Sequence, residues 1–224
     1  MATCTTPDLG RIKKIGLFLA DDCLNPVYAA DAGYLDDCPA AFETSDNADD
    51  GEDFTRRCAD GSIKRYIPGV RSLQSIEVNV DLHWLDPAWI SQAGAATGVS
   101  HNSEVIGWAD GTSDRFNVIV VVWQEILGEC GEVTGDFVRI YPVKGATITE
   151  EGAPGSEDNY VRINGMTTDS HNLGSGPLPL AMDSVSGDAE WISNPFEDGN
   201  HRFRFIGAPA PAGCGSIETT APTP

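Results

Sequence analysis

Positive charge is scarce in this chain. Fourteen Lys and Arg stand against 34 Asp and Glu in 224 residues, a formal net charge of −20 and a pI near 4.3. Gripping a nucleic-acid backbone takes clustered cations, so this balance argues against phosphate binding. It leaves open a protein past which a polyanion slides, because an acidic wall repels phosphate. The plainer consequence is solubility and resistance to nonspecific association.

Long apolar runs are also missing. No stretch approaches the roughly 20 residues needed to span a bilayer. The start, MATCTTPDLGRIKKIG, lacks a basic segment leading into an apolar run, so no secretory leader is expected, and no Asn-x-Ser/Thr sequon occurs. Cysteine is present but unpatterned. Cys4, Cys23, Cys38, Cys58, Cys130 and Cys214 form no C-x-x-C pair, and the four histidines do not cluster with them, so no metal is expected. Reduced thiols are expected in a chain without a leader, although Cys23 and Cys38 could bridge under oxidising conditions.

Catalytic signatures are absent in the same way. The chain has no Gly-x-Gly-x-x-Gly, phosphate loop or His-Glu-x-x-His. Its Gly174-Ser175-Gly176 is not a nucleophile elbow, which needs Gly-x-Ser-x-Gly on a strand-turn-helix. His83, His101, His171 and His201 are scattered. An EF-hand started at Asp46 fails at its third position, Ala48, and its twelfth, Arg57. No catalytic residue, metal or cofactor is therefore expected.

What is present reads as strands. RIKKIGLFLA alternates Ile15, Leu17 and Leu19. SLQSIEVNVDLHW alternates Ile76, Val78, Val80 and Leu82 with Glu77, Asn79 and Asp81, a strand with one buried and one polar face. RFNVIVVVWQEILG is a continuous β-branched run, expected to be central and covered on both faces. FVRIYPVKGATITEEG suggests two short strands, NYVRINGMTTDS another, and HRFRFIG a last one with Phe203 and Phe205 inward. DFTRRCADGSIKRYIPG has the form of a hairpin turning at Asp60-Gly61, with Arg56, Arg57, Lys64 and Arg65 on its arms. One helix is expected at DPAWISQAG, with Asp86 as N-cap, Pro87 in the first turn and a Gly stop at 94 or 98.

The expected organisation is an N-terminal arm at 1–10, one β-rich domain at 11–206 and a flexible Pro/Thr-rich tail at 207–224. An acidic loop is expected at about 36–52. Within it, FETSDNADDGEDF carries six acids in 13 residues and is expected to be mobile over 42–50, lying beside the hairpin's cations. The sum is an antiparallel β-sandwich or barrel-like domain with one short flanking helix.

Read in order, DDGEDFTRRCADGSIKRY, GVRSLQSIEVNVDLHWLDPAWISQAGA, VRIYPVKGATITEEG and YVRINGMTTDSHNLGSGP resemble the major tail proteins of long-tailed phages infecting actinobacteria. The order of elements matches from about residue 11 to 206. The acidic insert at 36–50 is longer than the family pattern, and Leu173 stands where an aromatic residue often precedes the Gly-x-Gly-Pro stop. The resemblance implies a tail-tube fold and a virion subunit, assembled in the host cytoplasm, that polymerises with itself as stacked hexameric rings. DNA would pass through the lumen without specific binding. Tape-measure, tail-terminator and tail-tip proteins would be the further partners, with no membrane involved. On this reading Glu77, Asn79 and Asp81 face the lumen. Asp49, Asp50, Arg56, Arg57, Lys64 and Arg65 form a subunit or ring-stacking contact. Two alternatives stay open: a capsid decoration or head–tail joining protein, and a soluble hydrolase or glycan-binding β-domain.

Overall fold

The computed structural model describes residues 8–57, 63–109, 115–128, 131–152 and 159–222, with backbone alone at 56–57 and 63–67. In chain order its strands are β1 (Asp8–Ala20), β2 (Gly33–Asp36), β3 (Ala41–Asp49), β4 (Phe54–Arg57), β5 (Ile63–Ile67) and β6 (Ser72–Leu82). After helix α1 (Pro87–Ala93) come β7 (Thr97–His101), β8 (Glu104–Ala109), β9 (Phe116–Leu127), β10 (Val133–Glu151) and β11 (Tyr160–Thr167). The last are β12 (Ala181–Met182), β13 (Ala189–Glu190), β14 (Phe203–Gly207) and β15 (Gly215–Ile217). The main sheet runs β15-β2-β1-β9-β10-β11-β6-β3, with β14 also on β10. All of its pairings are antiparallel.

The β-branched run forms β9, flanked by β1 and β10. Its alternation sends Val118, Val120 and Val122 to one core and Ile119, Val121 and Trp123 to another. Both faces are covered, as the continuous apolar run implies. β1 divides likewise, with Ile15, Leu17 and Leu19 to one side and Phe18 to the other.

β10 is one strand of 19 residues where its sequence suggests two. Its first half pairs β14, from Asp136 opposite Gly207 to Ile140 opposite Phe203. Its second half pairs β11 from Val143 onward. Pro142 sits at the step between these ladders. Proline lacks the N–H that an uninterrupted central strand needs, and here the strand is changing neighbours. The Pro142 carbonyl accepts Thr168 N–H at 3.1 Å.

The change of neighbours creates two wings. One is β15-β2-β1-β9-β10-β14, and the other is the second half of β10 with β11, β6 and β3. Phe42 on β3 and Tyr141 on β10 lie three strands apart along the sheet, which would be about 14 Å if it were flat. Their ring centroids are 5.5 Å apart. The wings therefore fold over one another as a sandwich-like pair, and the path stays open at β15 and β3. The core between them joins Val78, Val80 and Leu82 of β6 and Ile163 of β11 to the inner faces of β1 and β9.

α1 closes one end of this core. The Asp86 side chain accepts the Ala88 N–H at 2.8 Å, Pro87 starts the helix, and Gly94 ends it with φ of 69°. The left-handed turn is the reason for glycine there. Fully buried Trp89 meets Phe116 edge-on at 5.7 Å and Tyr34 at 6.3 Å. On the far face of the first wing, a second cluster packs Leu173, Leu180, Phe196, Phe203 and Phe205 over Phe18, Ile119, Val121 and Trp123.

Three expectations about the loose segments are corrected. The acidic stretch at 42–50 is not a mobile loop, because Ala41–Asp49 is an edge strand paired with β6 throughout. Backbone pairing holds it, and an edge strand tolerates charged side chains that a central one does not. Strand β1 starts at Asp8, so residues 8–10 belong to the sheet rather than to an arm. The tail also packs. β15 pairs β2, Thr219 is buried, and Thr219 Oγ1 donates to the Val27 carbonyl at 2.7 Å. Lys14, only 7% exposed, donates to the carbonyls of Pro211 and Gly213. Asp136 accepts from Ala210 N–H at 2.9 Å and from Lys13 at 3.2 Å. Low apolar content hides such a segment because backbone carbonyls, invisible in composition, supply its anchors.

Replacing Lys14 with Met strands both carbonyls and should lower the unfolding free energy by about 1–3 kcal/mol. Removal of residues 208–224 should destabilise the fold further by leaving a buried ammonium without acceptors. Urea denaturation reads both, and a tail that did not pack would leave the midpoint unchanged.

Candidate functional site

Directly opposed residues of antiparallel strands share a face, so the registers of the second wing define its outer surface. One row is Ala41, Asp81, Arg162 and Thr149; the next is Glu43, Asn79, Asn164 and Thr147. A third is Ser45, Glu77, Met166 and Lys144. Glu43, Ser45, Glu77, Lys144 and Thr149 are exposed. The first wing hides its outer face under an apolar layer, whereas this face is polar and uncovered.

The three residues expected to face a lumen, Glu77, Asn79 and Asp81, share this surface in different states. Asp81 is 5% exposed and takes two hydrogen bonds from Arg162, at 2.7 and 2.9 Å. Its charge is therefore not presented outward, which corrects the expectation for that residue. The hydrogen bond and charge of Asp81 hold the Arg162 guanidinium above its ordinary pKa. Arg162 also lies over the Tyr160 ring at 5.3 Å and donates to its hydroxyl at 3.1 Å. Asn164 bridges the next rows, donating to Glu77 Oε1 at 3.0 Å and to Asn79 Oδ1. Glu77 stays exposed.

Sequence reasoning missed Glu43, Arg162 and Asn164 as members of this face. Arg162 and Asn164 do stand on the polar side of an alternating strand. No pattern within β11 says that β6 lies beside it.

The six residues expected at an assembly contact divide differently. Asp49 ends β3, exposed, and accepts Gly51 N–H at 3.0 Å. Asp50 is 3.5 Å from Arg71, both largely exposed, a pairing worth little in water. The hairpin exists as β4 and β5, which among the described residues pair only with each other. Its turn at Asp60-Gly61 and the side chains of Arg56, Arg57, Lys64 and Arg65 lie outside the described residues. The register does set Arg56 opposite Arg65. Like charges so placed repel unless an acid joins them.

Free strand edges complete the picture. Among the described residues no strand pairs the outer edge of β3 or of β15. A second hairpin, β7–β8, was not anticipated. Its turn has Asn102 at φ 50° and Ser103 at φ 69°, and asparagine at such a turn is the signal that could have found it. Cys23, Cys38 and Cys214 are exposed free thiols, so Cys23 and Cys38 are unbridged.

Two histidines sit where the second wing meets the layer covering the first. Thr167 Oγ1 accepts Ile76 N–H at 2.8 Å and lies 3.2 Å from His201 Nδ1. Buried His171 contacts the Asn200 carbonyl through Nε2 at 3.1 Å and packs edge-on against Phe203 at 5.3 Å. Burial lowers its pKa, partly opposed by the Asn200 carbonyl and by the charges of Asp198 and Asp169.

Among the described residues no group of three or more His, Cys, Asp or Glu is placed to hold a metal ion. No described helix is long and apolar enough to cross a membrane. No family model, curated protein or solved structure matches the chain.

The lowered pKa of His171 gives a pH prediction. The unfolded chain binds this proton more readily, so the contribution is complete above the unfolded value near 6.5. It is lost as pH falls from there toward the lowered folded value. Thermal melts of wild type and His171→Phe between pH 7.5 and 5 should show a shallower decline in the variant. Parallel declines would mean that His171 carries no such linkage.

Proposed function

We propose that the chain is a structural virion protein, a tail-tube subunit that assembles with itself as stacked hexameric rings around a passage for DNA. One observation carries the reading: among the described residues the strand path is open at β3 and β15, beside a polar sheet face whose Glu43, Ser45, Glu77, Lys144 and Thr149 are exposed. An unpaired edge invites another chain, and a closed ring satisfies every such edge. The uncovered face suits a wall that meets water and DNA.

The electrostatics agree with passage rather than binding. Asp81 and Arg162 neutralise one another. Glu43 and Glu77 remain exposed, and Lys144 is the one exposed cation in the three rows. Such a surface offers phosphate a single exposed cation, and the −20 charge of each subunit repels it. The β4–β5 hairpin, outside the main sheet, suits a contact between successive rings. On this reading a tape-measure protein occupies the lumen during assembly, and terminator and tip proteins cap the ends.

Purified protein at rising concentration should form hollow tubes in negative stain, with light scattering that grows accordingly. A strict monomer at every concentration would overturn the proposal. The double substitution E43K/E77K places cations on exposed positions, at the cost of one exposed hydrogen bond from Asn164 to Glu77. It should leave tail assembly intact and slow DNA ejection several-fold, and unchanged ejection kinetics would remove these residues from the channel wall.

A further inference from the structure

On a chain this acidic, two arginines face each other without an acid. The register of β10 and β14 places Arg139 directly opposite Arg204. Cross-strand like charges are destabilising where nothing compensates them. Arg11, Lys13, Arg71, Arg162 and Arg202 each reach a carboxylate. Arg139 and Arg204 have none among the described residues; Arg139 rests over the Phe137 ring at 5.4 Å.

Arg204, beside Arg139, borders an apolar recess. Two pairs along, on the same face, Phe137 stands opposite Ile206, which is 71% exposed. Arg204 and Ile206 also line a groove of about 510 Å³ whose floor includes Met182, Ile192, Phe196 and Phe205. Arginine, aromatic residues and methionine around a recess make the composition of an interface core.

A surface of opposite charge with exposed apolar side chains exists elsewhere on the same chain. At the base of the β4–β5 hairpin, Asp49, Asp50 and Glu52 are exposed beside Phe54, 55% exposed, and Val70, 81% exposed. Gly51, at φ 64°, holds this corner tight, since a Cβ there would meet the Val70 carbonyl oxygen at 2.9 Å. The result is an acidic knob, three carboxylates around two apolar side chains, with Arg71 3.5 Å from Asp50 as its one described cation. None of its residues lines the groove of its own chain.

We infer that the groove beside β14 is the socket for the acidic knob of a second copy of this chain. Phe54 and Val70 fill the apolar recess while the acids reach Arg204 and Arg139. The inference rests on the tube reading for its setting, and it names the contact that would join subunits. Knob and socket are different patches, so the contact is head-to-tail and repeats. Opposite charges across it speed encounter and fix register, and they make association fall as salt rises.

Complementary charge reversal tests the contact. R139E/R204E reverses the socket, and D49K/D50K/E52K reverses the knob. Circular dichroism and thermal melts establish that each is folded, and R204E alone, on an exposed side chain, serves if the double variant is not. Self-association is followed by sedimentation velocity and negative stain. Each variant alone should associate on the order of 100-fold more weakly than wild type. An equimolar mixture should recover assembly, since each reversed knob then meets a reversed socket. Variants that assemble like wild type, or a folded mixture that recovers nothing, overturn the contact while wild-type tubes leave the tube reading standing. Wild type that associates through this contact into irregular chains supports the contact and overturns the tube. A wild-type monomer at all concentrations overturns both.

Discussion

One strand changes neighbours along one edge, and the rest of the molecule depends on it. β10 is long enough to pair β14 with its first half and β11 with its second, and Pro142 marks the exchange. Had β10 kept one neighbour, β6 and β11 would extend in plane from β9. Their apolar sides would then lack a facing layer. The exchange lets the second wing turn back over the first, so that Val78, Val80 and Ile163 share a core with Ile15 and Val120. The polar side of that wing, turned outward by the same alternation, is left uncovered. Core and candidate site are thus two faces of one geometric event.

Much of the fold was legible because its signals are local. The alternation at 76–82, the β-branched run of β9 and the caps of α1 each lie within a dozen residues. Asp86, Pro87 and Gly94 play the expected parts because capping requires only nearby backbone. The errors came where a distant partner decides. β3 is polar along nearly its whole length and is a strand only because β6 supplies the ladder. The tail at 207–222 reads as loose because its anchors, Lys14, Asp136 and β2, lie far upstream.

The site was half legible for the same reason. The alternation that identified Glu77, Asn79 and Asp81 as one face correctly grouped them. It could not distinguish a carboxylate in water from one with a guanidinium opposite, since Arg162 lies 81 residues away. Burial of Asp81 with a partner is a structural necessity, because an unpaired charge there would be costly. The charges left to act on anything outside are those the pairing spares, Glu43 and Glu77.

The fastening of the tail has a consequence for synthesis. β15 and the acceptors of Lys14 come from residues 211–217, synthesised long after β1 and β2. Until then β2 has a bare edge and Lys14 lacks its two carbonyls. A nascent chain can therefore collapse its core but cannot finish that side of the sheet. That side of the sheet therefore closes only across a span of nearly the whole chain, one end waiting for the other.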